Sequence, residues 1–168
     1  MSAPQQLAAL ARIHELLEGQ GIDYWLFGGW AVDFHAGAVT RTHDDLDVAV
    51  WEEDHVRVAA LLRADGWRHS PEAGEDGYTG YRRDAVKLEV AFLARSVTGQ
   101  VYTPLRGGGR GEWPDGAFGE DLAELGSLTA RVVNLSALRT DKAAEHDDPI
   151  VAAKDHADLR TLSRIDSR

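Results

Sequence analysis

The sequence contains no cysteine, which excludes disulfide bonds and thiolate chemistry and fits a cytoplasmic protein. It also lacks any apolar run of about 18 residues, so we expect no membrane span and no membrane partner. The opening segment M-S-A-P-Q-Q lacks the basic and apolar regions of a secretory signal. No H-x-x-x-H or H-E-x-x-H pattern occurs on a predicted helix, which leaves a zinc enzyme unsupported.

Basic residues are scarce relative to acidic ones. Lysine and arginine number 18 and aspartate and glutamate 28, giving a formal net charge of −10. Such a surface repels nucleic acid backbones, so a nucleic-acid partner is disfavoured. It is compatible with a cationic substrate, because acidic clefts raise the local concentration of cations. The simpler alternative is that the charge only keeps the protein in solution.

Apolar periodicity and turn residues predict a mixed α/β chain. The length of 168 residues suits a single domain, with a sheet core at about 22–134 and a helical part at about 135–165. The predicted helices are 4–20, 30–35, 53–64, a helix capped by Ser136 that runs to about His146, and 149–162. The predicted strands are 24–27, 46–51, 67–70, 78–83, 86–93 and 130–134, and the glycine-rich segment 98–126 is predicted to be irregular.

The stretch T-R-T-H-D-D-L-D-V-A-V places two carboxylates at the start of a predicted strand. Alternate strand side chains share a face, so Asp45 and Asp47 should lie on one side with Cα atoms roughly 7 Å apart. Leu46, Val48 and Val50 should then face the core. Two carboxylates on one face suit a hard divalent cation such as Mg²⁺. The alternative is a polar sheet face without a ligand; a calcium loop is discounted, because its D-x-D-x-D-G pattern is missing.

Upstream, W-L-F-G-G-W predicts a strand, a glycine pair and the start of a helix. Such a turn exposes backbone N–H groups and a helix N-terminus, which together favour anions. Gly28 and Gly29 are therefore candidates for holding a phosphate chain, although no Walker A pattern follows and a glycine pair is often only a turn. Trp30, which comes next, is expected to be a packing residue.

A third carboxylate lies within the apolar segment V-K-L-E-V-A-F-L. A glutamate in a central strand is rarely buried without a partner. If this strand neighbours residues 46–51, Glu89 joins Asp45 and Asp47 in one cluster. Otherwise Glu89 pairs with Lys87 or Arg83 on an exposed sheet face.

Further candidates lie in the second half of the chain. Lys142 and Lys154 can each reach a phosphate or remain solvated helix lysines. Asp155 and Asp158 share a helix face and either line an acceptor pocket or hold the helix in place. The segment 106–121 is a candidate lid or substrate wall, or a solvated connector; its potential substrate contacts are Glu112, Trp113, Asp115, Glu120 and Asp121.

The long segment G-G-W-A-V-D-F-H-A-G-A-V-T-R-T-H-D-D-L-D-V-A-V resembles the signature of small antibiotic nucleotidyltransferases of the DNA polymerase β-like superfamily. It is similar to aminoglycoside 2″-O-nucleotidyltransferases and to lincosamide nucleotidyltransferases. The tail segments R-V-V-N-L-S-A and A-K-D-H-A-D-L-R-T-L resemble the lincosamide group in particular. The resemblance spans roughly residues 22 to 162 and implies a mixed-sheet polymerase β-like fold with C-terminal helices.

The resemblance also implies roles for individual residues. Asp45 and Asp47 would be catalytic and bind Mg²⁺, with Glu89 as the third carboxylate. Asp45 and Asp47 would hold two cations about 3.5–4 Å apart, which clamp the attacking and leaving oxygens. Several relatives carry aspartate there, which leaves open whether Glu89 is the general base, a metal ligand or both. Nucleotide binding is expected at Gly28, Gly29, Arg41, His43 and Lys154.

We therefore expect transfer of a nucleoside monophosphate, AMP being favoured, from ATP or another nucleoside triphosphate to a hydroxyl of a small antibiotic. Charge favours an aminoglycoside over a lincosamide, and the tail favours the reverse. The alternatives are a nucleotidyltransferase acting on a protein or an RNA, the latter disfavoured by charge, and a nucleotide-binding module without catalysis. Monomer and homodimer both remain open.

Overall fold

The computed structural model describes residues 2–71, 76–144 and 147–165. Its helices are α1 (Ala3–Glu18), α2 (Gly28–Ala36), α3 (His55–Ala64), α4 (Leu135–Lys142) and α5 (Pro149–Ile165). Its strands are β1 (Tyr24–Phe27), β2 (Leu46–Trp51), β3 (Arg68–His69), β4 (Tyr78–Arg83), β5 (Val86–Arg95), β6 (Val101–Pro104), β7 (Arg110–Glu112), β8 (Leu122–Leu125) and β9 (Leu128–Arg131). None of the described helices combines the length and apolar character that crossing a membrane requires.

The main sheet is mixed and has the strand order β1-β2-β5-β4-β3. The pairing of β2 with β5 is parallel, whereas β1 with β2, β4 with β5 and β3 with β4 pair antiparallel. The far end of β5 continues the sheet through β6 and β7, and β8 and β9 form a separate two-stranded ladder. This arrangement confirms the predicted mixed α/β class.

Both faces of the central strands are largely buried, and one of them also carries Asp47 and Glu89. Leu46, Val48 and Val50 are at most 1% exposed, so the predicted core face of β2 is confirmed. Helix α1 buries the stripe Ala9, Leu10, Ile13 and Leu17, as its helical spacing dictates. The opposite face of β2 presents Asp47.

The predicted irregular segment 98–126 is wrong in part, because it contains β6, β7 and β8. The glycine-rich run R-G-G-G-R supplies the turn between β6 and β7, closed by bonds such as Leu105 N–H to the Gly109 carbonyl at 3.0 Å. The high glycine content predicted no strands there, but β6 and β7 form because they pair with each other. Helix α2 also begins earlier than predicted, at Gly28 rather than Trp30.

The start of α4 was predicted at the wrong cap. Asn134, not Ser136, is the N-cap, and its side-chain oxygen accepts a hydrogen bond from Ala137 N–H at 2.8 Å. Both residue types cap well, and β9 ends at Arg131 rather than at Asn134, which leaves Asn134 at the turn into the helix. The helix ends at Lys142, and the predicted end at His146 lies outside the described residues.

Candidate active site

Strands β2 and β5 bring the predicted carboxylates together. Their parallel register places Asp47 opposite Glu89, and Asp45 directly precedes β2. The expectation that these two strands are neighbours is therefore confirmed. Asp47 is partly buried and Glu89 is 5% exposed. Both carboxylates therefore lie on the same sheet face and are largely shielded from solvent.

Lys87 lies between two of these carboxylates. Its Nζ is 3.1 Å from Asp45 Oδ2 and 2.5 Å from Glu89 Oε1. Burial works against the charge of Lys87, but hydrogen bonds to Glu89 and Asp45 outweigh it and raise the pKa of the ammonium. Glu89 therefore pairs with Lys87, as the alternative proposed, but on a largely buried face rather than an exposed one. Arg83 pairs with Asp65 instead.

The ionised form of Asp47 is strongly disfavoured by its surroundings. Burial raises its pKa well above the ordinary aspartate value, and the negative charges of Asp45 and Glu89 raise it further. The positive charges of Lys142 and Lys87 act in the opposite direction. A divalent cation would stabilise the ionised form, so the donor set fits Mg²⁺. Within the described ranges, however, no three acidic or histidine side chains already converge as a ready metal cluster.

The glycine pair makes room for the site. Gly28 has φ +66°, and a Cβ there would lie 2.9 Å from Asp47 Cγ and closer still to Oδ2. The carboxylate of Asp47 therefore rests against the first turn of α2, where backbone N–H groups lack helical partners. A Cβ at Gly29 would meet the guanidinium of Arg41 and lie 2.5 Å from His43 Nδ1. Gly28 is required by close packing against the Asp47 carboxylate, and Gly29 by close packing against Arg41 and His43.

Arg41 is held by helix α5. Its Nε donates to Asp158 Oδ1 at 2.7 Å and its Nη2 donates to Asp158 Oδ2 at 2.8 Å, while Nη1 donates to the Thr42 carbonyl at 3.0 Å. Asp158 is 1% exposed, so this fork is a buried tie between the loop before β2 and the C-terminal helix. Of the two roles considered for Asp158, holding the helix is the one that this contact performs.

His43 occupies a buried position behind the glycine pair. Its Nε2 lies 2.6 Å from Asp33 Oδ2, and its ring centroid lies 4.4 Å from that of Trp30. Asp33 and Trp30 are both 0% exposed, so Trp30 is a packing residue, as predicted. His43 therefore supports the site from behind, with its ring within reach of Gly29.

The two C-terminal lysines differ in setting. Lys154 lies on the surface and pairs with exposed Asp44 at 2.5 Å. Lys142 is largely buried and pairs with Asp155 Oδ1 at 3.0 Å. Burial opposes its charge, but Asp141 and Asp155 outweigh this effect and raise the pKa of Lys142 to about 12. Lys142 is thus a permanent cation close enough to act on Asp47. Its place on a predicted helix did not distinguish it from a solvated lysine.

A cleft of about 610 Å³ opens beside the carboxylates. Phe27, which pairs with Asp47 across β1 and β2, lies 5.8 Å from the ring of Tyr78 and 5.5 Å from that of Trp113. Both rings line the cleft, so the cleft lies next to the sheet face that carries Asp47. Trp113 is fixed there by a 2.9 Å hydrogen bond from Nε1 to Thr103 Oγ1.

Four carboxylates line the cleft, and none of its described lining residues is basic. They are Asp76, Glu112, Asp115 and Asp141. The predicted substrate residues Trp113, Glu112 and Asp115 therefore share one cavity. Sequence reasoning missed Asp76, Tyr78 and Asp141, since only the fold brings β4 and α4 to this loop. Glu120 lies instead beside Arg131, at 3.5 Å.

Comparisons with known proteins place the chain in a family of antibiotic-modifying nucleotidyltransferases. A family model described as aminoglycoside-2''-adenylyltransferase matches residues 9–162. A 2''-aminoglycoside nucleotidyltransferase of Klebsiella pneumoniae is 35% identical over 63 residues, which are 36% of this chain and 36% of that protein. One from Escherichia coli is 36% identical over 59 residues, 33% of each. The matched segment spans about a third of the length of these curated relatives.

Two solved structures share the fold. The lincosamide antibiotic adenylyltransferase LnuA, lincomycin-bound, has a TM-score of 0.72 and 20% identity, covering 93% of this chain and 95% of that one. ANT(2")-Ia in complex with adenylyl-2"-tobramycin has a TM-score of 0.75 and 19% identity, covering 97% and 94%. These similarities confirm the predicted nucleotidyltransferase fold.

Proposed function

Because the chain belongs to the aminoglycoside-2''-adenylyltransferase family, we propose that it transfers AMP from ATP to a hydroxyl group of an aminoglycoside. The observation that carries the choice of acceptor is the cleft beside the carboxylates, with its four acidic and no basic described lining residues. Its volume of about 610 Å³ lies within the usual range for small-molecule sites. Aminoglycosides are polycations, so an acidic cleft of this size matches them in charge and dimensions.

The aromatic wall complements the charges. Tyr78 and Trp113 give the cleft apolar faces against which a sugar ring can lie, while Glu112 and Asp115 can each meet an ammonium group. Asp141 already pairs with Lys142 at 3.3 Å and Asp76 accepts a hydrogen bond from Arg106 N–H at 2.8 Å. A lincosamide carries a single positive charge and would leave one of the remaining two carboxylates, Glu112 or Asp115, without a partner. The cleft therefore favours the aminoglycoside over the lincosamide that the C-terminal tail resembles.

The proposed reaction is an in-line displacement at the α-phosphorus of ATP. The acceptor hydroxyl oxygen forms a bond to phosphorus, and the bond to the oxygen that bridges the α- and β-phosphates breaks, so that pyrophosphate departs with the electron pair. The hydroxyl proton passes to Glu89, whose carboxylate shares the face of Asp47. Asp45 and Asp47 would hold Mg²⁺, which supplies positive charge to the phosphate oxygens when it is bound.

Other groups of this chain would hold the triphosphate. The first turn of α2, which begins at Gly28, presents backbone N–H groups beside Asp47 and favours an anion. Arg41 lies against Gly29 and contributes its charge from a fixed position. Lys154 is exposed beside Asp44 and is free to exchange that partner for a phosphate.

The test is a mass-spectrometric screen of intact products. The protein is incubated with ATP, GTP, CTP or UTP, Mg²⁺ and a panel of aminoglycosides and lincosamides, with Asp47→Ala as the control. We expect an AMP adduct on an aminoglycoside that is absent with the variant. An adduct only on lincosamides would refute the choice of acceptor. Nucleotide binding without any drug adduct would refute the antibiotic reaction and direct attention to a protein or RNA acceptor.

A further inference from the structure

Lys87 occupies a place on the catalytic face where a metal ion would otherwise be expected. Its ammonium bridges Asp45 and Glu89, at 3.1 Å and 2.5 Å. The Lys87 side chain is only 23% exposed and that of Glu89 only 7%, so this bridge is not a loose surface pair. Its position follows from the sheet: Lys87 is two residues from Glu89 on β5 and directly precedes Leu88, the register partner of Leu46, just as Asp45 directly precedes Leu46.

The charges on this face fit one divalent cation rather than two. Asp45, Asp47 and Glu89 carry three negative charges when ionised, and the Lys87 ammonium neutralises one. A single divalent cation neutralises the remaining two. Lys142 adds a further positive influence on Asp47 from the helical side. A second divalent cation would have to displace an ammonium that already holds two carboxylates.

The geometry divides the three carboxylates between two sides. Asp47 rests against Gly28 and the first turn of α2, on the side proposed for the triphosphate. Glu89, with Lys87, lies toward β4, which carries the cleft residue Tyr78. The acceptor side of the site is therefore the side that holds the ammonium.

We propose that Lys87 takes the place of the second cation of a two-cation nucleotidyltransferase site, so that the enzyme works with one divalent cation, bound by Asp45 and Asp47. The inference rests on the proposed nucleotidyl transfer. In this arrangement Lys87 anchors Glu89 where it accepts the proton of the acceptor hydroxyl, and it supplies positive charge on the acceptor side. Lys87 thus acts by positioning Glu89 and by its positive charge, without taking part in bond making or breaking.

The decisive measurement is metal stoichiometry. Mn²⁺ is titrated into the wild-type protein saturated with α,β-methylene ATP, which cannot be cleaved at the reacting bond, and free Mn²⁺ is followed by electron paramagnetic resonance. We expect one bound Mn²⁺ per chain. Two bound ions in the wild type would overturn the inference, whatever the variants do.

Variants of Lys87 sharpen the test. Lys87→Met removes the ammonium and should open a second Mn²⁺ position, raising the stoichiometry from one to two. Lys87→Arg keeps the charge and should retain one. The matched control is Arg82→Met, because Arg82 is an exposed cation paired with Lys87 on the neighbouring strand. It should also retain one.

Transfer rates give a second readout. Lys87→Met should lose about 100-fold in rate at low Mn²⁺, the usual cost of removing one electrostatic group from such a site. High Mn²⁺ should restore part of this loss and leave the wild-type rate unchanged. A Lys87→Met protein that binds one Mn²⁺ and is not rescued would also overturn the inference. A wild type that binds neither nucleotide nor Mn²⁺ would instead refute the proposed function.

Discussion

Replacing Gly28 by alanine should separate the activity of the protein from its stability. Gly28 has φ +66°, a conformation that costs an L-residue roughly 1–2 kcal/mol. The new Cβ would also enter the space of the Asp47 carboxylate, lying 2.9 Å from its Cγ. All the obstructing atoms belong to the Asp47 side chain, so rotation of its carboxylate relieves the overlap with Oδ2 and Cγ, although a tight contact with Asp47 Cβ at 3.2 Å remains. The catalytic carboxylate, however, leaves its place.

Gly37 offers a matched control. It ends α2 with φ +69°, almost the same conformation, and a Cβ there would meet nothing within 4 Å. Gly28→Ala and Gly37→Ala should each lose about 1–2 kcal/mol in the free energy of unfolding in urea from the left-handed backbone, and Gly28→Ala should lose somewhat more because of the Asp47 Cβ contact. Only Gly28→Ala should lose transfer activity, by about 100-fold or more, the effect expected of a displacement near 1 Å at a reacting centre. Equal activities of the two variants would refute this reasoning.

Three further results are expected. Asp47→Asn should abolish transfer yet raise the metal-free free energy of unfolding at pH 7, since the raised pKa means that the ionised carboxylate destabilises the fold. The folded chain binds that proton more tightly than the unfolded chain, so the wild type should gain stability as pH falls through the raised folded-state pKa toward the unfolded one. The stability advantage of Asp47→Asn over the wild type should shrink across the same range. Asp115→Asn should raise the KM for an aminoglycoside about threefold at low salt and less at high salt, as expected of an exposed charge, without changing kcat. Asp158→Ala should destabilise the protein by about 3 kcal/mol in urea, because it leaves Arg41 without its buried partner, and Arg41→Met should recover part of that loss in the double variant. Additive losses in the double variant would contradict a direct Arg41–Asp158 coupling.

The strand carrying the two aspartates could be predicted because its signal is local. Alternation of Leu46, Val48 and Val50 with Asp45 and Asp47 predicts that the apolar set faces the core and the aspartates share the opposite face, and the structure agrees on the buried set. The proximity of Glu89 could only be stated conditionally, since the pairing of β2 with β5 joins residues about forty positions apart. Nothing in either strand alone specifies its neighbour.

The cap of α4, the burial of Lys142 and the lining of the cleft depend on contacts between distant segments, which local sequence patterns do not predict. Asn134 and Ser136 are both good caps, and the end of β9 selects between them. Lys142 lies on a helix like many solvated lysines, but Asp155 on the next helix draws it inward. The cleft draws on β4, the β6–β7 hairpin and α4, so its acidic lining is a property of the fold rather than of any segment.

The side chains of the T-R-T-H segment are engaged with the helices around the site. Arg41 commits Nε and Nη2 to Asp158, and His43 commits Nε2 to Asp33, so both side chains join the loop before β2 to the helices around it. A phosphate that sought direct hydrogen bonds from these nitrogens would have to compete with buried carboxylates. We therefore expect the segment to act mainly by fixing the loop that leads into Asp45 and Asp47, with the charge of Arg41 placed beside Gly29, next to the proposed triphosphate site.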